Sequence, residues 1–406
     1  MNDHEEAKRF LDKYKEAHGI PAYLRAPTTA AREAKDRILH RIFTREQSRN
    51  PKLRTEMKHA AGLAVRDGVD AVMVEILDKR QGDIENAAAA LAASLSIDGW
   101  NAGDRPLVGF LLTGQLNAVT MPVPGSADHL VLFEDQMMLF IVELSSTIAC
   151  SVRRDHPTCT GDGPFFKVTA DAMREQIAAH PEIAVGFANS VIGYAVTGRI
   201  KLSAPDRLTP DNARFADELS AALMYFVLGH ERAHILLGHL HTAEVRTGVL
   251  PDAEAEALVY SWVEETEADL LGMQLSMIAG TNYGKLDFAL AFLGISLFFD
   301  ALDVMDRAVA LLQTGDENAL QLGSHPPAHL RKQYLGESLV RSAPDDNRFT
   351  LNVRRALRMA EAQSEIIRRL WECTRPDLLD LHQRGARAAP TWRTNRKEAG
   401  DQSLPT

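Results

Sequence analysis

Leu219 to His241 reads LSAALMYFVLGHERAHILLGHLH, and the five residues His230-Glu231-Arg232-Ala233-His234 inside it decide what kind of chain this is. Residues four apart on a helix project from one face, so His230 and His234 can turn ring nitrogens toward a single ion. Zinc takes imidazole nitrogen at about 2.0–2.1 Å, and two such ligands form half of a tetrahedral site. Glu231 stands beside the first histidine without being a ligand itself, where a base for a metal-activated water belongs. The run Ala221 to Leu228 ahead of the motif is apolar and predicts a buried helix. Buried imidazoles and a carboxylate are costly without partners, and a metal removes that cost.

A catalytic zinc site needs a third protein ligand and an open fourth position. Glu265, 31 residues beyond His234, offers it within Val263-Glu264-Glu265-Thr266-Glu267-Ala268-Asp269. Glu265 and Asp269 share a helical face, so Glu265 reads as the ligand and Asp269 as the carboxylate behind a ligand imidazole, fixing its tautomer. Ala268 is small enough to let two helices approach closely. Glu267 is the rival ligand, but it is off the face of Asp269; it and Glu264 are expected to point into solvent. His239 and His241 do not continue the face of His234 and read as helix-end histidines.

The order His-Glu-x-x-His followed by Glu265-Thr266-Glu267-Ala268-Asp269 resembles the gluzincin pattern of the CAAX-prenyl-protein endopeptidases and HtpX-type metallopeptidases. Ser324-His325-Pro326-Pro327-Ala328-His329-Leu330-Arg331 is similar to the His-Pro-x-x-x-x-Arg signature that those families carry after the third ligand. In overall form the chain resembles the soluble Lit-type phage-exclusion peptidases, which share the order of blocks. The likeness spans residues 215 to 335. It implies Zn2+ held by His230, His234 and Glu265, peptide-bond hydrolysis with Glu231 as the base, and a specific intracellular protein target, as in a defence or stress protease. His325 and Arg331 thereby become candidates for a catalytic role. Alternatively, the prolines after His325 simply start a helix, and Arg331 is an ion-pair partner of Asp269.

Composition frames this reading. Hydrophobic residues make up 45% and charged residues 25% of the 406 positions, the balance of a folded globular chain. A net charge of −10 argues against nucleic acid as the main partner, because a polyanion needs a basic surface; a protein or peptide substrate is expected instead. Cys150, Cys159 and Cys373 have neither disulfide nor metal spacing, and the charged start MNDHEEAKRF lacks the apolar run of a signal peptide. A cytoplasmic location follows as the expectation. Phe288 to Phe299 is about half the length of a bilayer span and reads as buried core, so no membrane insertion is expected.

The expected fold is α+β and helix-rich: a helical arm over 1–66, a mixed α/β region over 67–204, a helical zincin-like metallopeptidase core over 205–384, and a disordered tail over 385–406. VDAVMVEIL (69–77), PLVGFLL (106–112) and HLVLFED (129–135) are strand candidates, the first equally a helix; residues 136–152 predict a buried helix, and from Asp211 the pattern is almost wholly helical. Zincins place a substrate-binding edge strand beside the first metal helix, where a peptide joins by β-addition. Ile183 to Ser203 is the candidate source of that strand, or else a buried helix. A zinc-containing regulatory or scaffold protein with a structural metal is the alternative to an enzyme. A fourth protein ligand such as His325 would mark it, whereas an open fourth position would mark the enzyme.

Overall fold

Thr209 begins the helix that carries the motif. Its Oγ1 accepts from the Asn212 N–H at 3.2 Å, and Pro210 follows in the first turn, where a missing N–H costs nothing. The computed structural model describes residues 5–17, 69–95, 105–111, 116–154, 166–200, 208–241, 244–250, 253–259, 262–319, 326–343 and 348–389. Along the chain these hold α1 (Glu5–Ala17), α2 (Val69–Ser94), β1 (Leu107–Leu111), β2 (Ala118–Pro122), β3 (His129–Glu134), α3 (Asp135–Ser151), the two-residue strands β4 (Arg153–Arg154) and β5 (Phe166–Lys167), α4 (Ala170–Ala179), α5 (Glu182–Thr197), α6 (Pro210–Leu236), β6 (Glu244–Leu250), β7 (Ala253–Val259), α7 (Trp262–Ile278), α8 (Phe288–Thr314), α9 (Ala328–Arg341) and α10 (Arg348–Gln383). The architecture is helix-rich α+β.

One apolar core runs from Met73 to Ala388. At its centre α8 packs against α6 and α10, and α6 also meets α3, α7 and α2. Asp287 starts α8 by accepting from the N–H groups of Ala289 and Leu290 at 3.0 and 3.3 Å. By length and composition α8 passes for a membrane span, but most of its apolar window is buried inside the protein. Read from Phe288 to Phe299 alone it looks too short; it continues to Thr314 because Ala301, Val304, Met305 and Ala308 extend the buried face.

The small sheet has the order β1-β3-β2. β1 runs parallel to β3 and β2 antiparallel, with Thr120 opposite Val131. Side chains alternate across it: Val131 and Phe133 enter the main core, while Leu130, Leu132 and Met121 meet Ala7 and Leu11 of α1 on the other face. β2 is thus an edge strand, and its inner face lies against α6.

Two open readings are decided in favour of helix, and two expectations change. Most of the segment Ile183 to Ser203 is the helix α5, with 201–203 outside the described residues; its buried Ile183, Phe187, Val191 and Tyr194 recur at helical spacing. The edge strand beside α6 is β2. VDAVMVEIL is helical for the same reason, with Val72, Met73 and Leu77 buried on one side of α2. The helical run after Asp211 is interrupted by the hairpin β6–β7, which pairs Glu244 with Val259 through Leu250 with Ala253. Of the tail read as disordered, Ala388 and Ala389 are buried, and the Ala389 N–H donates to the Ala195 carbonyl at 2.9 Å; residues 390–406 lie outside the described residues.

Candidate metal centre

The centre forms where α6 crosses α7, and two glycines set how closely they cross. A Cβ on Gly272 would fall 2.8 Å from the backbone N and Cα of His230, and one on Gly229 would fall 2.8 Å from the Gly272 carbonyl oxygen. Neither position has room for a side chain. Ala268, one turn earlier on α7, is fully buried and keeps the rest of the crossing narrow. This approach brings Glu265 from α7 against the histidine pair of α6.

His230 Nε2 and His234 Nε2 are 3.2 Å apart. Glu265 Oε2 lies 3.7 Å from His230 Nε2, and Glu265 Oε1 lies 3.6 Å from His234 Nε2. Tetrahedral ligand bonds of about 2.0–2.1 Å separate neighbouring donors by about 3.3–3.4 Å; one donor atom from each of the three residues lies within 4.8 Å of the others, a triangle that could close on one ion. Among the described residues, these three form the group of His, Cys, Asp or Glu side chains that can hold a metal ion. Glu265 and His234 are each only 1% exposed, and an ion there would be shielded from water on the protein side.

Behind the donors, Asp269 Oδ1 lies 3.0 Å from His230 Nδ1. A carboxylate oxygen accepts but does not donate, so a proton shared between them sits on Nδ1 and leaves Nε2 as the nitrogen able to ligate a metal. Arg331 grips the same carboxylate side-on, Nε to Oδ2 at 2.6 Å and Nη2 to Oδ1 at 2.7 Å, and its Nη2 also reaches Glu265 Oε2 at 3.1 Å. The guanidinium lies over the Phe299 ring, 5.1 Å from its centroid. Of the two readings of Arg331, a catalytic role and an ion pair with Asp269, the ion pair is present.

The electrostatics favour a cation. Burial pushes the His230 imidazole down, but the hydrogen bond and charge of Asp269, together with the charge of Glu265, leave its pKa above the ordinary value. For Asp269, burial pushes up and Arg331 outweighs it, so the carboxyl titrates below its usual range. Arg331 is raised by Asp269 and Glu265 against the effect of burial. The excess of carboxylates over guanidinium draws positive charge to the triangle, and a metal ion supplies it as a proton does.

Glu231 is buried, and Thr120 of β2 holds it. The Thr120 Oγ1 lies 2.8 Å from Glu231 Oε2 and 3.0 Å from the Glu231 carbonyl oxygen. The expected base is thus tied to the edge strand as well as to α6. Thr120 carried no motif signal in the sequence.

His239, at the helix end as expected, and Glu267, exposed as expected, nevertheless line up behind His234. Gly238, with φ at 75°, turns the chain after α6, and the short 3-10 turn His239–His241 brings His239 back behind the motif. His239 Nδ1 is 3.0 Å from His234 Nδ1, and His239 Nε2 is 3.2 Å from Glu267 Oε2. His325 lies outside the described residues. The helix expected after it does follow, with Pro327 at the cap of α9.

No family model matches this chain, and neither a curated protein nor a solved structure does so.

Proposed function

We propose that this chain is a zinc-dependent endopeptidase of the gluzincin kind, with His230, His234 and Glu265 as ligands and Glu231 as the general base. The observation that carries the reading is the joint placement of a three-donor triangle that could close on one ion and a buried glutamate one residue from the first donor, beside an edge strand. Zinc in the triangle would supply a Lewis acid that makes water acidic near neutral pH and polarises a carbonyl oxygen. Glu231 would take the proton from the attacking water and give it to the leaving amine. Thr120 would hold the carboxylate in line for both transfers. The outer edge of β2 would receive the peptide as an added strand, its backbone N–H and C=O groups pairing with the substrate's. Asp269 and Arg331 would keep His230 and Glu265 oriented rather than touch substrate. A single specific protein target, as in the Lit-type peptidases that the chain resembles, and general peptide hydrolysis both fit this site.

Two measurements test this together. Purified protein is expected to hold about one zinc per chain, most of it lost in His230→Ala and in His234→Ala. Glu231→Gln is expected to keep its zinc, because the amide preserves shape, and to lose proteolysis, because it cannot accept the proton. Quantitative proteomics of new protein termini in cells expressing wild type or Glu231→Gln reads the second effect. Identical termini in the two cell populations would remove the peptidase, and full zinc in both histidine variants would remove the ligand assignment.

A further inference from the structure

Behind His234 lies a second imidazole, and behind that a carboxylate. A carboxylate oxygen only accepts, so Glu267 Oε2, 3.2 Å from His239 Nε2, holds the His239 proton on Nε2. The Nδ1 of a neutral His239 then has a lone pair. His234 Nδ1, 3.0 Å away, must donate into it, which leaves the His234 Nε2 lone pair facing Glu265 and His230. His239 cannot be a ligand in this arrangement, because its ring lies on the opposite side of His234 from the donor triangle.

We propose that His239 and Glu267 form a positioning relay that holds His234 in its Nδ1-protonated tautomer and so presents Nε2 to the metal. The two histidine ligands are then oriented by different devices. His230 leans directly on Asp269, which is 1% exposed, whereas His234 is backed through an intervening ring by Glu267, whose side chain is 55% exposed. One support is sealed in the protein and the other ends in solvent. The relay rests on the metal-centre reading and not on the peptidase reading.

The test uses the full chain stripped of metal. Zn2+ is titrated in against a competing chromophoric chelator, and Co2+ uptake is followed by visible absorption. Wild type is expected to bind both. His239→Leu removes the acceptor and is expected to weaken zinc binding by about 10–100-fold and to alter the cobalt bands. His239→Asn places an amide oxygen where Nδ1 was and is expected to recover most of the affinity and the wild-type bands. Glu267→Gln, half exposed and harmless to folding, keeps an acceptor but loses its charge, so a smaller loss is expected. Should His239→Leu fail to fold, the Asn and Gln variants decide. Wild-type affinity and spectrum in His239→Leu, or an Asn variant no better than a folded Leu variant, would overturn the relay alone. A wild type that takes up neither metal would overturn the metal centre, and the relay with it.

Discussion

Glu231 and its hydroxyl partner make the most direct single-residue test. Thr120→Val keeps the branched shape and removes the 2.8 Å contact to Glu231 Oε2, so the carboxylate loses one of its anchors. The turnover number is expected to fall on the order of tenfold, since a positioned base contributes about 10²–10⁴-fold in all, with zinc content unchanged. Steady-state kinetics on an identified substrate would check it; an unchanged kcat would show that Thr120 does not orient the base. The carboxylates of α7 give a second comparison. Asp269→Ala removes the partner of His230 Nδ1 and is expected to weaken zinc binding by about 10–100-fold. Glu265→Ala removes an anionic ligand outright and should be worse. Competitive chelator titration ranks the two, and the reverse order would mean that their roles are exchanged.

The crossing of α6 and α7 depends on atoms that are missing. A methyl on Gly272 would meet the backbone of His230 at 2.8 Å, and backbone cannot yield as a side-chain tip can. Gly272→Ala is therefore expected to push α7 outward, carry Glu265 away from the histidines, and destabilise the fold by about 1–3 kcal/mol. Gly336→Ala on α9 is the control, because its new methyl would meet only Leu357 Cδ2 at an ordinary 3.7 Å. Chemical denaturation and zinc titration of both variants measure the two effects. A Gly272→Ala protein with wild-type stability and zinc affinity would show that the crossing has slack.

For the molecule as a whole, a metal that binds only the folded chain must stabilise it by mass action. At a free zinc concentration of about 100 times Kd, the gain is about 2.7 kcal/mol. A chelator is accordingly expected to lower the Tm of wild type while leaving His230→Ala nearly unmoved, and calorimetry with and without chelator reads the difference. Equal Tm shifts in both proteins would locate the zinc elsewhere. The triangle joins α6 to α7 across the central core, where α6 also meets α2, α3 and α8, so the ion's stabilisation is expected to appear in the main unfolding transition.

The candidate metal group was legible in the sequence because helical periodicity is a local property: residues four apart share a face whatever else the chain does, which makes His230 with His234 and Glu265 with Asp269 readable without a fold. The long buried helices α3 and α8 were legible for a similar reason, their apolar content exceeding what a strand can use. Strand and helix stayed open alternatives for α5, where near-continuous apolar residues hide the period, and packing decided for the helix by burying Ile183, Phe187 and Val191 on one face. Contacts between distant segments were out of reach altogether. Thr120 meets Glu231 across 111 positions and Arg331 meets Asp269 across 62; the second pair was open to inference from its chemistry, the first had no local signature. His239 was hidden by a turn: five residues past His234 it leaves the helical face, and the positive φ of Gly238 returns it to the site. Local chemistry thus determined which side chains are able to bind a metal. Tertiary packing decided which groups hold those side chains in place, because that depends on where the chain crosses itself.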